Sequence, residues 1–227
     1  MMRNSLFLLI SFVAAAQADP PASLEITYQL TRNGSAMAEV VERLQYSAGN
    51  YQLTESWKGK GIYALLGTAR RVSQGSVNGD VLRPREFFDE RSGRDTARAW
   101  FDWKANTLTM QYKGDRRTEP LQPNAQDRLS FLLALSLLPG KAESITYHIA
   151  DGKGISHHVY KAIARERIRT PAGDFEALKV ARLSDKPDKE SAELWLAAAL
   201  SYIPVRLLII EKDGSRFEQL ATRIARP

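Results

Sequence analysis

Cationic side chains of one parity along a predicted strand are the residues of this chain best suited to chemistry. That strand carries Lys161, Arg165, Arg167 and Arg169. If the strand runs without a bulge, residues of one parity project from one face. Such a face suits the phosphate or carboxylate groups of lipid head groups, lipopolysaccharide or an acidic protein. These residues are candidates for anion contact, and other arginines could extend the patch, namely Arg70, Arg71, Arg116 and Arg117. A solvated face that protects an edge strand from aggregation is the simpler alternative.

Residue types that carry out catalysis or bind metals are scarce. The chain has three histidines, and two of them, His157 and His158, are neighbours that would point to opposite faces of a strand. Neither these two nor His148 has an acidic residue at a recognisable ligand spacing. There is no cysteine, which excludes a thiol nucleophile and Cys-ligated zinc. The Gly-x-Ser-x-Gly pattern of many hydrolases is absent. We therefore expect no catalytic residue, no metal site and no cofactor.

Aromatic residues could either line a ligand cavity or fill the core of a sheet. The candidates are Trp57, Phe87, Phe88, Trp100, Phe101 and Trp103. The indole of Trp100 is out of register with Phe101 and Trp103, so we expect it to be exposed. An exposed indole could stack on a carbohydrate, although no other feature of the sequence supports this.

The elements that must position these groups are strands, because the dominant hydrophobic period after residue 22 is two. The stretch from Leu24 to Leu30 alternates apolar and polar residues, and the stretch from Thr107 to Lys113 does the same. Asn33-Gly34, Asn78-Gly79 and Asp213-Gly214 are pairs that favour tight hairpin turns. The sequence thus predicts about ten to twelve strands in an antiparallel meander.

One segment, from Asp127 to Leu138, breaks the strand pattern. It is rich in leucine, Asn124 or Asp127 can cap its first turn, and Pro139-Gly140 can stop it. Because it is apolar nearly all round, we expect a buried helix against the concave face of a sheet. The predicted fold is all-β with one short buried helix, in an antiparallel curved sheet or incomplete β-barrel. Replacing Leu132 or Leu135 with Asp should abolish soluble folding.

Another predicted strand follows Pro204, which lacks an N–H donor and should lie at an edge, a bulge or a strand start. Residues Val205 to Ile210 are apolar at both parities. We expect this strand to be covered on both faces, one of them by the helix. The preceding stretch, Leu194 to Leu200, could form a helical turn or continue a strand.

The N-terminus resembles a secretory signal. Arg3 precedes an apolar run from Leu6 to Ala16, and Ala16-Gln17-Ala18 has the small-x-small pattern of a cleavage site. We predict residues 1–18 as a signal peptide cleaved after Ala18, and residues 19–227 as a single β-rich periplasmic domain without a transmembrane helix. The net charge of +6 favours anionic envelope surfaces, and an exported protein rarely meets nucleic acid.

Several segments resemble one bacterial family. They are Gln126-Asp127-Arg128-Leu129-Ser130, the turn Thr170 to Phe175, Trp195-Leu196, Tyr202 to Arg206, and the hairpin at Asp213-Gly214. Together they are similar to the exported family called domain of unknown function 3108, from about Leu24 to Ile224. The resemblance implies a Gram-negative periplasmic setting and a single β-rich domain. It brings no catalytic residues to carry over, because the family has none assigned.

The function favoured by these observations is non-enzymatic binding in the periplasm. The expected partner is an apolar or lipid-like ligand, held between helix and sheet, or another envelope protein. An outer-membrane-associated β-barrel is one alternative, since its strands also alternate. A hydrolase whose catalytic residues meet only in three dimensions is the other. The sequence does not determine the oligomeric state.

Overall fold

The computed structural model describes residues 23–79, 81–137, 144–184 and 190–226. The predicted signal peptide, residues 1–18, lies outside this part of the chain, as do Leu138 and the Pro139-Gly140 pair. The strands are β1 (Ser23–Arg32), β2 (Ser35–Ser47), β3 (Asn50–Gly59), β4 (Thr68–Asn78), β5 (Val81–Arg91), β6 (Ala97–Asp102), β7 (Thr107–Tyr112), β8 (Asp115–Pro120), β9 (Ala125–Asp127), β10 (Ser144–Ala150), β11 (Ile155–Thr170), β12 (Gly173–Leu183), β13 (Ser191–Ala197), β14 (Ile203–Ile210) and β15 (Arg216–Ala225). One α-helix, α1 (Ser130–Leu135), and two 3₁₀ turns, Gly61–Leu66 and Ala198–Leu200, complete the described elements.

All the described strands belong to one sheet. Its order is β8-β7-β6-β5-β4-β3-β2-β1-β15-β14-β13-β12-β11-β10-β9, so the first and last strands of the chain pair at its centre. Every pairing is antiparallel except that of β9 with β10. The predicted fold, an antiparallel curved sheet with one short helix, is confirmed.

Short connections impose the meander. At the β1–β2 turn, Asn33 and Gly34 both have positive φ, 50° and 81°. These are the left-handed angles that a two-residue hairpin turn requires, and Asn and Gly adopt them at low cost. The predicted turn is therefore confirmed. Because the chain reverses directly, β2 lies beside β1 and buries alternate side chains, Ala38, Val40 and Leu44, against the same core.

The two edges of the sheet, β8 and β9, are connected by a turn rather than by strand pairing. The β10–β11 turn reaches across, and the Arg117 guanidinium on β8 donates to the Lys153 carbonyl. The Lys153 ammonium lies 4.7 Å from the centroid of the Tyr112 ring on β7. Gly152 packs so closely that a Cβ there would lie 2.6 Å from the backbone nitrogen of Arg98. The sheet is thus an incomplete barrel. The backbone of the β10–β11 turn covers the gap between its edge strands, β8 and β9.

The helix lies against the inner face of the sheet, as expected, but it is shorter than predicted. It starts at Ser130 rather than Asp127, because Gln126 and Asp127 belong to β9, which pairs with β10. Leu129, Leu133 and Leu135 are buried in the main core. A six-residue helix has little intrinsic stability, so tertiary contacts must hold it in place.

Asp127 provides the main polar connection between this helix and the sheet. Its carboxylate accepts the backbone N–H groups of Leu129 and Ser130, both at 2.8 Å, which confirms the predicted capping role. The other carboxylate oxygen accepts the Ser73 hydroxyl of β4 at 2.5 Å. The Tyr51 hydroxyl of β3 lies 3.0 Å from Ser73 Oγ and can donate to it. This chain of hydrogen bonds joins two neighbouring strands to the start of α1.

Strand β14 has buried side chains on both faces, but the predicted cover is seen on one face, where α1 packs, whereas on the other face the contacts come from neighbouring strands of the same sheet. Pro204 is its second residue and lies opposite Leu196, at a register shift between β13 and β14. Val205 is buried in the main core, on the face of β14 that α1 contacts. On the opposite face Leu208 packs with Trp195 and Ala177 in a small second cluster. The stretch Leu194 to Leu200 contains both predicted alternatives, because β13 continues to Ala197 and a 3₁₀ turn follows.

Shortening one buried side chain of α1 tests how much the packing of this helix contributes to the stability of the folded protein. Leu135 is 0% exposed, so Leu135→Ala removes apolar contacts and leaves a cavity. We expect the free energy of unfolding to fall by about 2–5 kcal/mol. Leu65→Ala is the control, because Leu65 is 91% exposed and should change the value by less than about 0.5 kcal/mol. Urea denaturation followed by circular dichroism measures both, and equal effects would show that α1 is not part of the core.

The hydrogen bonds to Asp127 can be tested by removing one donor. Ser73→Ala leaves one Asp127 carboxylate oxygen and the buried Tyr51 hydroxyl without their partner. An unsatisfied buried polar group costs about 1–3 kcal/mol, and we expect that loss of stability in the same denaturation assay. The same substitution at the exposed Ser35 should be nearly neutral. A neutral Ser73→Ala would mean that Asp127 holds the helix through its backbone contacts alone.

Candidate functional site

The four cations predicted to contact anions do not share one face. A β-bulge in β11, between Ala162 and Ala164, shifts the register. Before the bulge Lys161 lies opposite Ala181, and after it Arg165 lies opposite Leu178. Positions 178 and 181 of β12 point to opposite faces, so Lys161 is separated from the three arginines. The condition of a bulge-free strand is therefore not met.

The three arginines beyond the bulge remain together and exposed. Arg167 and Arg169 lie 3.5 Å and 3.1 Å from the carboxylate of Asp174, and Arg165 lies 3.4 Å from the Tyr202 hydroxyl. Anion contact by these three residues stays a prediction. The four arginines expected to extend the patch have other contacts: Arg70 with Glu90, Arg71 with Glu55 and Asp89, Arg116 with the Trp100 ring, and Arg117 with Lys153.

The histidines lie on neighbouring strands. His148 on β10 pairs directly with His157 on β11, and their ring centroids are 4.5 Å apart. Burial, followed by the proximity of His157, lowers the pKa of His148. Within the described ranges, no group of three His, Asp or Glu side chains could hold a metal ion.

The space between helix and sheet, where we expected a lipid-like ligand, is small. A cavity of about 20 Å³ lies there. Its walls come from both layers and comprise Leu24, Ile26, Glu42, Leu44, Leu53, Leu132, Leu133, Ile203 and Pro204. A volume of this size holds about one water molecule. The cavity is apolar except for the carboxyl group of Glu42.

Glu42 belongs to a row of charged side chains across the inner face of the sheet. Glu42, Glu55, Arg71 and Asp89 lie directly opposite one another on β2, β3, β4 and β5, and all are buried. Arg71 contacts Glu55 at 2.6 Å and Asp89 at 3.3 Å. Arg91 contacts Asp89 at 2.8 Å. The two guanidinium groups therefore neutralise Glu55 and Asp89, and no cation of the described residues contacts Glu42.

The surroundings of Glu42 favour its protonated form. Burial, followed by repulsion from Glu55, raises its pKa to about 8. The Tyr28 hydroxyl donates to the Pro204 carbonyl at 2.7 Å and lies 3.4 Å from Glu42 Oε2. Because the Tyr28 proton points to Pro204, a protonated Glu42 can donate its own proton to the Tyr28 oxygen. The amide of Gln219 lies 3.4 Å from the other carboxyl oxygen.

A much larger concavity, of about 440 Å³, lies on the surface near the β6–β7 turn. We call it the Trp–Arg cleft, and it is lined by Ser76, Arg83, Arg85, Trp100, Phe101, Asp102 and Trp103. Small-molecule sites typically occupy about 300–1,000 Å³, so its size suits a small ligand or one unit of a polymer. Trp100, which we predicted to be exposed, is half-buried at its wall, whereas Phe101 is buried.

Both indole rings of the cleft are held in place. Trp103 donates its Nε1–H to the Pro84 carbonyl at 2.6 Å. The Arg83 guanidinium carbon lies 5.5 Å from the Trp103 ring centroid, and that of Arg116 lies 5.4 Å from the Trp100 centroid. Cations at these distances are attracted to the ring faces. The aromatic surface is thus preorganised and surrounded by positive charge.

The cleft has an excess of available positive charge. Arg83 and Arg85 are exposed, and neither forms an ion pair with any carboxylate in the part of the chain that the structure describes. The carboxylate of Asp102 accepts the backbone N–H groups of Lys104 and Ala105, at 3.0 Å and 2.8 Å. Asp102 therefore stabilises the turn, and the two guanidinium groups face solvent. Sequence reasoning missed both arginines. In the sequence they only alternate with Leu82 and Pro84, a pattern that indicates a strand but not a binding site.

Among the described residues, no helix has the length and apolar character needed to cross a bilayer. The fold and these sites define a β-barrel-like protein with a filled interior and a cleft on its surface. The chain belongs to the family described as "Protein of unknown function (DUF3108)", whose model matches residues 23–221. The family resemblance seen in the sequence is therefore confirmed.

A solved structure of similar fold supports the architecture. The chain is similar to a β-barrel-like protein of domain of unknown function DUF1849 from Brucella abortus, with a TM-score of 0.60 and 8% identity. That likeness covers 90% of this chain and 98% of the other. A protein from Parabacteroides distasonis described as a "putative lipoprotein" has a TM-score of 0.36 and 12% identity, over 91% of this chain and 97% of its own. No curated protein has significant sequence similarity to the chain.

The protonation of Glu42 should make stability depend on pH. A carboxyl group with a raised pKa binds a proton in the folded chain that the unfolded chain has released, so stability falls as pH rises. For Glu42 this window runs from 4.5 to about 8. Glu42→Gln mimics the protonated form, and we expect it to exceed the wild type in stability at pH 8 by on the order of 2 kcal/mol.

The comparison of variant with wild type at pH 6 and pH 8 cancels the contributions of other titrating groups, such as Asp127 and the histidines. The difference in free energy of unfolding should already be present at pH 6, which lies above 4.5, and should be larger at pH 8. Glu211→Gln, at an exposed position, should show no such dependence. A Glu42→Gln variant that is destabilised equally at both pH values would contradict a protonated Glu42.

Proposed function

We propose that this protein is exported to the periplasm and binds, without catalysis, an anionic saccharide of the cell envelope in the Trp–Arg cleft. The observation that carries the proposal is the combination, in one ligand-sized concavity, of two positioned indole rings with two guanidinium groups that form no ion pair with a described carboxylate. Export is supported by the signal pattern of Arg3, the apolar run and Ala16-Gln17-Ala18.

The chemistry of the cleft matches this class of ligand. Indole rings offer flat apolar faces to the C–H side of a sugar ring, while guanidinium groups bind phosphate or carboxylate through paired hydrogen bonds. Ser76 adds a hydroxyl group at the wall. A neutral apolar ligand would leave Arg83 and Arg85 without partners, so the ligand should carry negative charge.

The cavity beneath α1 is a poorer site for a ligand. Its volume of about 20 Å³ has no room for an acyl chain. Such a chain could enter only if Leu132 and Leu133 moved away from the sheet. The helix is held there by Asp127, which opposes this movement. We therefore assign ligand binding to the surface cleft rather than to the interior.

Calorimetric titration with N-acetylglucosamine 1-phosphate tests the proposal. N-acetylglucosamine and inorganic phosphate are the controls for the sugar and the anion alone. We expect the sugar phosphate to bind more tightly than either control. Arg83→Gln with Arg85→Gln should weaken that binding at least ten-fold, because each charge-assisted hydrogen bond contributes about 1.5–3 kcal/mol.

The matched control is Arg94→Gln with Lys212→Gln, which removes the same charge from exposed positions outside the cleft. This variant should bind the sugar phosphate as the wild type does. Equal weakening in both variants would indicate non-specific attraction to a basic protein. Binding of phosphate alone as tightly as of the sugar phosphate would contradict the role of Trp100 and Trp103.

A further inference from the structure

The 3₁₀ turn between β3 and β4 presents large apolar side chains to solvent. Ile62 is 78% exposed and Leu65 is 91% exposed. Among the described residues these are the most exposed large hydrophobic side chains, followed by Val81 at 51%. The core does not use them, and the cleft proposed above does not include them. We call this segment, Gly61–Leu66, the apolar tip.

The exposure of the tip follows from a well-defined backbone. The Lys60 N–H donates to the Met37 carbonyl of β2 at 2.9 Å, and the Tyr63 N–H donates to the Lys60 carbonyl at 3.1 Å. Behind the turn, a Cβ on Gly59 would lie only 2.2 Å from the Tyr63 carbonyl oxygen, so the turn packs directly on β3. The backbone is thus fixed, and the two side chains point away from the sheet.

Cationic side chains flank the tip at the ends of β3 and β4. Lys58, Lys60 and Arg70 are all exposed. Lys60 lies 3.2 Å from Glu39, and Arg70 lies 3.5 Å from Glu90. Ion pairs exposed to this degree contribute little and can exchange for other partners. The surroundings of the tip therefore carry more positive than negative charge.

We propose that the apolar tip inserts into the surface of an anionic lipid bilayer. Two apolar side chains at a convex turn, with lysines beside them, match the arrangement by which proteins bind a bilayer surface. The apolar side chains insert below the level of the head groups, and the cations contact the lipid phosphates. A protein partner fits less well, because stable interfaces bury about 800 Å² on each side. A protruding turn with two exposed side chains supplies much less.

Vesicle co-sedimentation tests this inference on the chain without residues 1–18. The probes are vesicles of phosphatidylcholine alone and of phosphatidylcholine mixed with phosphatidylglycerol, whose head group is anionic. We expect binding to the anionic vesicles, and a loss of at least ten-fold in Ile62→Asn with Leu65→Asn. Lys58→Gln with Lys60→Gln should weaken binding several-fold and reduce its dependence on salt.

The matched control is Val81→Asn with Leu183→Asn, since these side chains are 51% and 46% exposed and lie outside the tip. It should bind vesicles as the wild type does. Equal loss in both double variants, or no binding by the wild type, would overturn the inference. A wild-type dimer that Ile62→Asn with Leu65→Asn converts to a monomer would instead assign the tip to self-association. The circular dichroism of each variant verifies folding.

Discussion

The position of a short apolar helix inside a curved sheet depends on the carboxylate of Asp127. Burial raises the pKa of Asp127 to about 6, and hydrogen bonds from Ser73, Ser130 and Leu129 oppose that rise. These donors come from β4 and from the first turn of α1, so the same group satisfies the helix start and joins it to the sheet. Without that connection, a six-residue helix would have only apolar contacts, which are not directional.

The remainder of the interior contains an unusual amount of charge for a filled sheet. Arg71 lies between Glu55 and Asp89, and Arg91 completes the neutralisation of Asp89. Ion pairs of this kind are costly to bury, so their net contribution to stability is small. Within the described part of the chain Glu42 contacts no cation, and burial raises its pKa to about 8 beside Tyr28. The interior is thus mainly apolar and contains a row of buried charges, and little free volume lies beneath α1.

A filled interior leaves the surface as the place where partners can bind. The Trp–Arg cleft lies near the β6–β7 turn, and the apolar tip lies between β3 and β4. In an up-and-down meander these two connections are at opposite ends of the strands, because each strand reverses the direction of the one before. A protein inserted into a bilayer by its tip would therefore present the cleft away from that membrane. The rigid sheet determines the separation of the two surfaces.

The sequence by itself determined the fold class, the family and the outline of the elements. Period-two alternation, Asn33-Gly34 and the position of Pro204 all act through nearest neighbours and backbone angles, and so local residues were sufficient. Glu42 was also within reach of sequence reasoning, because it occupies a buried parity between Val40 and Leu44. Its significance was missed because alternation alone does not show that the residue opposite Glu42 is the carboxylate of Glu55 rather than a cation.

Only the tertiary structure decided the features that depend on register and on distant segments. The bulge in β11 places Lys161 and Arg165 on opposite faces, and no residue type in that strand predicts the bulge. The helix starts three residues late because β9 pairs with β10, a contact between segments that are not adjacent in the chain. The cleft joins Arg83 to Trp100 and Trp103 in the same way. Local propensity governs which elements form, whereas packing between distant residues governs which side chains meet.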